Sequence, residues 1–230
     1  MPMRARSLVI GLLCVVAGLG AIVAGAYGLA TELTRGPTTE EKTKASLREL
    51  ALRWRYWSAE RLFPAQLGDV GDTGFARRLG IAPESDCAKA LDEAAARVVT
   101  PRGCERVLRA TYADSSGTML ATLAVVVMKD SESARAALAA GKWETSGVRP
   151  AGFSGTVSAR FDTGQEQERS ATHRLNYLVL GTGGFADGRP RMAEADRTGL
   201  PGITAAAMDK LAGRLLKPVP ACEVKEIVTC

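Results

Sequence analysis

Residues 104–128 read CERVLRATYADSSGTMLATLAVVVM, and this stretch decides the fold. Val107 to Ala113 and Met119 to Met128 are two runs of β-favouring residues, and Asp114-Ser115-Ser116-Gly117 between them has the composition of a tight turn, so the segment predicts a β-hairpin. The second run, LATLAVVVM, has no polar alternation. A strand that is apolar on both faces belongs at the centre of a sheet covered on both sides.

Working outward, Ser131 to Ala140 predicts a helix stopped by Gly141. A second hairpin is expected from Gly155 to Phe161 and Ala171 to Gly181, with Asp162 to Ser170 as its polar tip. A helix from Ile203 to Leu216 follows, ended by Pro218 and Pro220. Upstream, Gln66 to Pro83 is Gly-rich and reads as a loop, and Ser85 to Val98 as a helix capped by Ser85 or Asp86. Thr38-Thr39-Glu40-Glu41 offers a capping box for a helix running to Leu62, before Pro64. Leu47, Leu50, Trp54 and Trp57 share one stripe of that helix at 3/4 spacing. The stripe either packs on the protein's own domain or meets a partner or the headgroup region of a bilayer. Two hairpins with segregated helices predict an α+β domain with an antiparallel sheet and flanking helices.

Composition fits a folded chain of 230 residues, 46% hydrophobic and 24% charged. With only 5% aromatic residues the core must be built mainly from small and aliphatic side chains. A single His leaves little room for imidazole-based metal or triad chemistry. The formal net charge is +5, and removing the two contributed by Arg4 and Arg6 leaves +3 spread without a block over residues 31–230. No nucleic-acid footprint is visible.

Ser7 to Ala30 (SLVIGLLCVVAGLGAIVAGAYGLA) carries no charge. As a helix these residues would span about 36 Å, enough for a hydrocarbon core of about 30 Å. Arg4 and Arg6 precede the segment, so the positive-inside rule predicts residues 1–6 in the cytoplasm, 7–30 as a transmembrane helix, 31–38 as a linker, and 39–230 as an extracytoplasmic domain. A cleaved signal peptide is the competing reading, because Ala24-Gly25-Ala26 is an A-x-A site. Cys14 lacks the small preceding residue of a lipobox, Leu13 standing there, and reads as a residue of the span. Ala17, Ala21 and Gly25, and again Gly20, Ala24 and Gly28, have the small-xxx-small spacing that lets helices approach closely. A homodimer through the span is one expectation; an Ala/Gly-rich composition also produces such spacings by chance.

The other four cysteines, Cys87, Cys104, Cys222 and Cys230, fall on the expected outer side, where disulfides persist. The shortest loops pair Cys87 with Cys104 and Cys222 with Cys230. The spacings lack a C-x-x-C pair and match no zinc ribbon, so no metal is expected, and no cofactor.

Several patterns imitate catalytic motifs. Asp72-Thr73-Gly74 and Asp162-Thr163-Gly164 echo the paired loops of an aspartic protease, without the flanking residues that motif has. Gly181-Thr182-Gly183-Gly184-Phe185-Ala186 matches G-x-G-x-x-A, but Asp187-Gly188-Arg189-Pro190 follows it as a turn where a helix is required, so a glycine turn at a strand's end is expected. Gly152-Phe153-Ser154-Gly155-Thr156 misses the last glycine of a nucleophile elbow. No catalytic residue is assigned.

Cys104 to Met128, the Leu79-Gly80-Ile81-Ala82-Pro83 stretch, Phe185-Ala186-Asp187-Gly188-Arg189 and the Arg/Ala bias together resemble uncharacterised single-pass membrane proteins of high-GC actinobacteria. More remotely, the hairpin-helix order is similar to extracytoplasmic sensor domains of actinobacterial receptor kinases, which bind; this chain departs from them in having no kinase. The resemblance implies a membrane-anchored extracytoplasmic binding or scaffolding module acting through a protein partner in the membrane or envelope. The alternatives are an envelope hydrolase using Asp72, Asp162 or His173, and a secreted domain released after Ala26.

Overall fold

A computed structural model describes residues 3–70, 74–193, 196 and 202–217. The chain is α+β, built on a six-stranded antiparallel sheet. In chain order the elements are α1 (Met3–Thr34), α2 (Thr39–Tyr56), α3 (Ala59–Leu62), β1 (Gln66–Gly68), β2 (Phe75–Ser85), α4 (Cys87–Ala90), α5 (Glu93–Val99), β3 (Cys104–Asp114), β4 (Met119–Met128), α6 (Ser131–Ala140), β5 (Glu166–Arg174), β6 (Tyr177–Phe185) and α7 (Thr204–Leu216). The sheet order is β1-β2-β3-β4-β6-β5.

The hairpin of residues 104–128 forms the middle of this sheet, with Val107 opposite Val126 and Ala113 opposite Leu120. Asp114 holds its turn by accepting from the backbone N–H groups of Thr118 and Met119 and from the Ser116 hydroxyl. Every residue of β4 is buried. Its Ala121, Leu123, Val125 and Val127 pack into one core with α7 residues such as Met208, Leu211 and Leu215. Ala124, Val126 and Met128 pack into a second core with Leu91, Val99, Ala134 and Trp143. Helices therefore cover both faces of the sheet, which is why this strand can be apolar throughout.

Several sequence expectations are corrected. Residues 66–83 are not a loop, because they contain β1 and most of β2. Alternation fails in β2 because its register shifts between Arg78 and Gly80 and between Ala82 and Ser85. Gly80 is required there by the Phe153 ring, which a Cβ would strike, and Pro83 falls within the second shift, where no ladder N–H is needed. The helix expected to reach Leu62 breaks at Trp57-Ser58, where the Ser58 hydroxyl caps α3 by accepting from the Arg61 N–H. The helix expected over Ser85–Val98 breaks at Leu91-Asp92, since Leu91 bridges to Val148 and Asp92 caps α5. Asp86 holds the N-cap position of α4 without a side-chain cap bond.

The second hairpin is displaced along the chain. Residues 155–161 form turns, while the expected polar tip is mostly β5, and the true turn falls at Leu175-Asn176 with Leu175 at φ +51°. Gly181, Gly183 and Gly184 lie inside β6 rather than in a turn after it. Added Cβ atoms there would meet Thr204 at the start of α7 and the Phe161 ring, so these glycines admit close packing from both sides.

Candidate interaction surfaces

Val16–Thr34 of α1 is long and apolar enough to cross a membrane, and none of it is covered by the rest of the chain. Val16, Leu19, Ile22, Val23, Tyr27 and Leu29 are all exposed. Added Cβ atoms at Gly20 and Gly25 would meet nothing within 4 Å, and Ala24 lies between them on the same open helix. Cys14 falls within α1.

Four residues separate α1 from α2, and charge spans the gap. Arg35 donates to Glu32 at the end of α1 (2.6 Å) and to Glu41 in the first turn of α2 (2.7 Å). The Thr38 hydroxyl accepts from the Glu41 N–H and the Glu41 carboxylate from the Thr38 N–H, completing the expected capping box. The Arg35 guanidinium, helped by Thr38, holds the Glu41 carboxyl down at about 2.

The α2 stripe divides. Leu50 is 7% exposed, Trp54 and Trp57 are half-buried against the core, and Leu47 is 49% exposed. What fixes α2 to the domain is a set of polar bonds beside the stripe. Arg53 is 0% exposed. Its Nε donates to both Glu49 oxygens (2.9 and 3.1 Å), and its terminal nitrogens donate to Glu49 Oε2 (2.8 Å) and to the carbonyls of Leu215 (2.8 Å) and Lys217 (2.7 Å) in and just after the last turn of α7. The Tyr177 hydroxyl, its pKa raised by burial, donates to the Leu50 carbonyl (2.8 Å), and Asn176 Nδ2 donates to the Ala51 carbonyl. The guanidinium groups of Arg53 and Arg61 both lie over the Trp57 ring, 4.3 and 4.2 Å from its centroid. On the neighbouring face, a shallow groove of about 350 Å³ is bordered by Ala51, Trp54, Arg55, Glu105, Lys129 and Asn176.

Cys87 and Cys104 lie at disulfide distance, with their Cα atoms 6.4 Å apart. Cys222 and Cys230 lie outside the described residues, as does Asp72. Asp162 is exposed in a turn, where its carboxylate accepts from the Thr163 N–H. His173 is half-buried in β5 opposite Leu178, and its imidazole hydrogen-bonds none of the described residues. Ser154 is exposed in the 153–156 turn. No hydrogen bond joins the described residues Ser154, Asp162 and His173 to one another. Among the described residues no three His, Cys, Asp or Glu side chains converge as a metal site.

Sequence reasoning missed the Arg53 anchor, because Glu49 and Arg53 are charged residues that do not belong to the apolar Leu47/Leu50/Trp54/Trp57 stripe. The i,i+4 Glu-Arg spacing was the available signal, but it marks exposed pairs equally well. No protein-family model, curated protein or solved structure matches the chain.

Proposed function

We propose that the chain is a single-span membrane protein, N-terminus cytoplasmic, whose residues 39–230 form an extracytoplasmic binding or scaffolding module acting through a protein partner in the membrane or envelope. The observation that carries this reading is the uncovered apolar surface of α1. Side chains such as Leu19, Ile22 and Val23 are left exposed by a chain that buries both faces of its sheet, and lipid is the solvent in which that surface is stable. Arg4 and Arg6 supply the orientation.

Topology is the direct test. Ser154 is exposed on the domain, so a Ser154→Cys chain in intact cells is expected to gain labelling by a membrane-impermeant maleimide over the unsubstituted chain. Gain of that label only after lysis overturns the orientation. Mass spectrometry of the membrane-extracted protein is expected to find the chain uncleaved, and a mature N-terminus at Tyr27 would instead establish release after Ala26.

Pairing of the span is tested separately. Because Gly20 and Gly25 face open space within the protomer, Gly20→Ile with Gly25→Ile leaves the chain's own packing untouched. If two spans associate through either small-residue stripe, the double substitution, which blocks both, abolishes signal in an in-membrane two-hybrid assay; unchanged signal excludes the pairing.

A further inference from the structure

Arg53 and Arg169 show how this fold accommodates a buried guanidinium: Arg53 has Glu49 and the α7 carbonyls, and Arg169 has Asp92, Glu166 and the Thr145 carbonyl. Arg109 is treated differently. It projects from the middle of β3, between Ala82 of β2 and Ala124 of β4, and is half-buried. Like that of Arg169, its Nε is sealed from solvent and has no hydrogen-bond partner, but where Arg169 has Asp92 and Glu166, no described carboxylate pairs with Arg109. Its Nη1 reaches only the Arg149 carbonyl, at 3.4 Å.

Arg149 in turn donates its Nε to the Leu91 carbonyl (2.7 Å), and its two terminal nitrogens donate to none of the described residues. Neither arginine forms an ion pair with a described carboxylate. The acids on the adjoining elements are committed: Asp92 accepts from Ala95, Gly147 and Arg169, and Glu84 and Asp86 pair with Arg106. Burial, reinforced by the charge of Arg149, lowers the pKa of Arg109, as expected for two cations held together without a counter-charge.

The backbone around the pair is fixed. The Arg149 N–H donates to the Ala90 carbonyl (3.0 Å), Val148 bridges to Leu91, and the Thr111 hydroxyl donates to the Ala151 carbonyl (2.7 Å). We infer that Arg109 and Arg149 form a binding site for an oxyanion, a phosphate or carboxylate group, whose oxygens would accept from the unused guanidinium N–H groups and neutralise the paired charge. Guanidinium forks match such groups in shape as well as charge. The inference deepens the binding-module reading by naming a ligand class, and it rests on that reading for the compartment in which the ligand is met.

The experiment uses the purified full-length protein in neutral detergent, titrated in separate arms with inorganic phosphate and with acetate against chloride at matched ionic strength, followed by calorimetry. At least one of the two anions is expected to bind, and Arg109→Gln or Arg149→Gln to weaken it at least tenfold, while Arg189→Gln, which breaks an exposed pair with Asp187, leaves it unchanged. Arg149→Lys keeps the charge but not the fork and is expected to fall between. The Arg149 side chain holds only one hydrogen bond, so its variants test the site even if Arg109→Gln misfolds. Reconstitution into phosphatidylcholine discs with and without phosphatidylglycerol separates the sources of a phosphate: competition by phosphatidylglycerol assigns a lipid headgroup, and its absence a soluble or polymer-borne anion. The inference is overturned if neither anion binds, or if the Arg149 variants bind as tightly as the unsubstituted chain. Binding in detergent does not depend on membrane orientation, so failure here is distinct from failure of the topology test.

Discussion

Replacing Arg53 with Ala is expected to destabilise the folded domain by about 3–5 kcal/mol, the range for removing one partner of a buried ion pair. Two losses coincide at this residue. Glu49, 5% exposed, would be left as a buried carboxylate with its Arg53 donors gone. The carbonyls of Leu215 and Lys217 would lose the donor that closes the end of α7, where intrahelical N–H partners have run out.

Companion variants separate these losses. Glu49→Gln removes the charge but leaves the carbonyl bonds of Arg53 in place, so it is expected to cost less than Arg53→Ala. Joint replacement of Glu49 and Arg53 by Leu relieves the unpaired charge and should cost less than the two single changes added together, yet the α7 carbonyls remain unmet and full stability does not return. Arg53→Lys keeps the charge but offers three donors from one nitrogen in place of a planar fork, and is expected to recover less than half of the loss. Denaturant titration of the detergent-solubilised chain, followed by tryptophan fluorescence, measures all four. A loss under about 1 kcal/mol for Arg53→Ala would show that α2 is not anchored through this residue.

The same residue shows why part of this fold was legible from sequence and part was not. β4 announced itself because its side chains are apolar on both faces, and burial on both faces is a property of the strand's own residues. Arg53 gave no such signal, since its burial is decided by the end of a helix more than 160 positions away. The first half of β5, Glu166–Ser170, reads as a hairpin tip because EQERS is polar, but tertiary partners supply what its polar groups need. Arg169 meets Asp92 and Glu166, and Glu168 accepts from the Thr204 N–H at the start of α7. The Cys87 and Cys104 pair followed from short spacing alone. Arg109 and Arg149, 40 positions apart, are ordinary arginines until β3 and the 148–151 segment place them together.

Loss of the Cys87–Cys104 link is expected to cost about 3 kcal/mol, the loop-closure figure for cysteines separated by some 17 residues. At about 2–4 °C per kcal/mol for a domain of this size, that corresponds to a fall of roughly 6–12 °C in Tm. The link ties the first turn of α4 to the start of β3, and the segment it closes carries Ala90, Leu91, Ala95 and Val99, all 0% exposed, onto the second core. α4 and α5 have four and seven residues, too short to persist without that packing. Cys87 is itself buried, so Cys87→Ala with Cys104→Ala is the cleaner substitution, avoiding a serine hydroxyl in an apolar site. Dithiothreitol should lower the Tm of the unsubstituted chain by more than it lowers that of the double variant, which keeps Cys222 and Cys230; a reductant-insensitive unsubstituted chain would show that the link contributes no stability. The same two thiols also report the compartment. Structural disulfides persist outside the cytoplasm and are rare within it, so alkylation of intact cells before lysis should find Cys87 and Cys104 protected until reductant is added. Finding them freely alkylated without reductant would mean that this face of the domain meets the reducing side of the membrane, and the proposed orientation would have to be reversed.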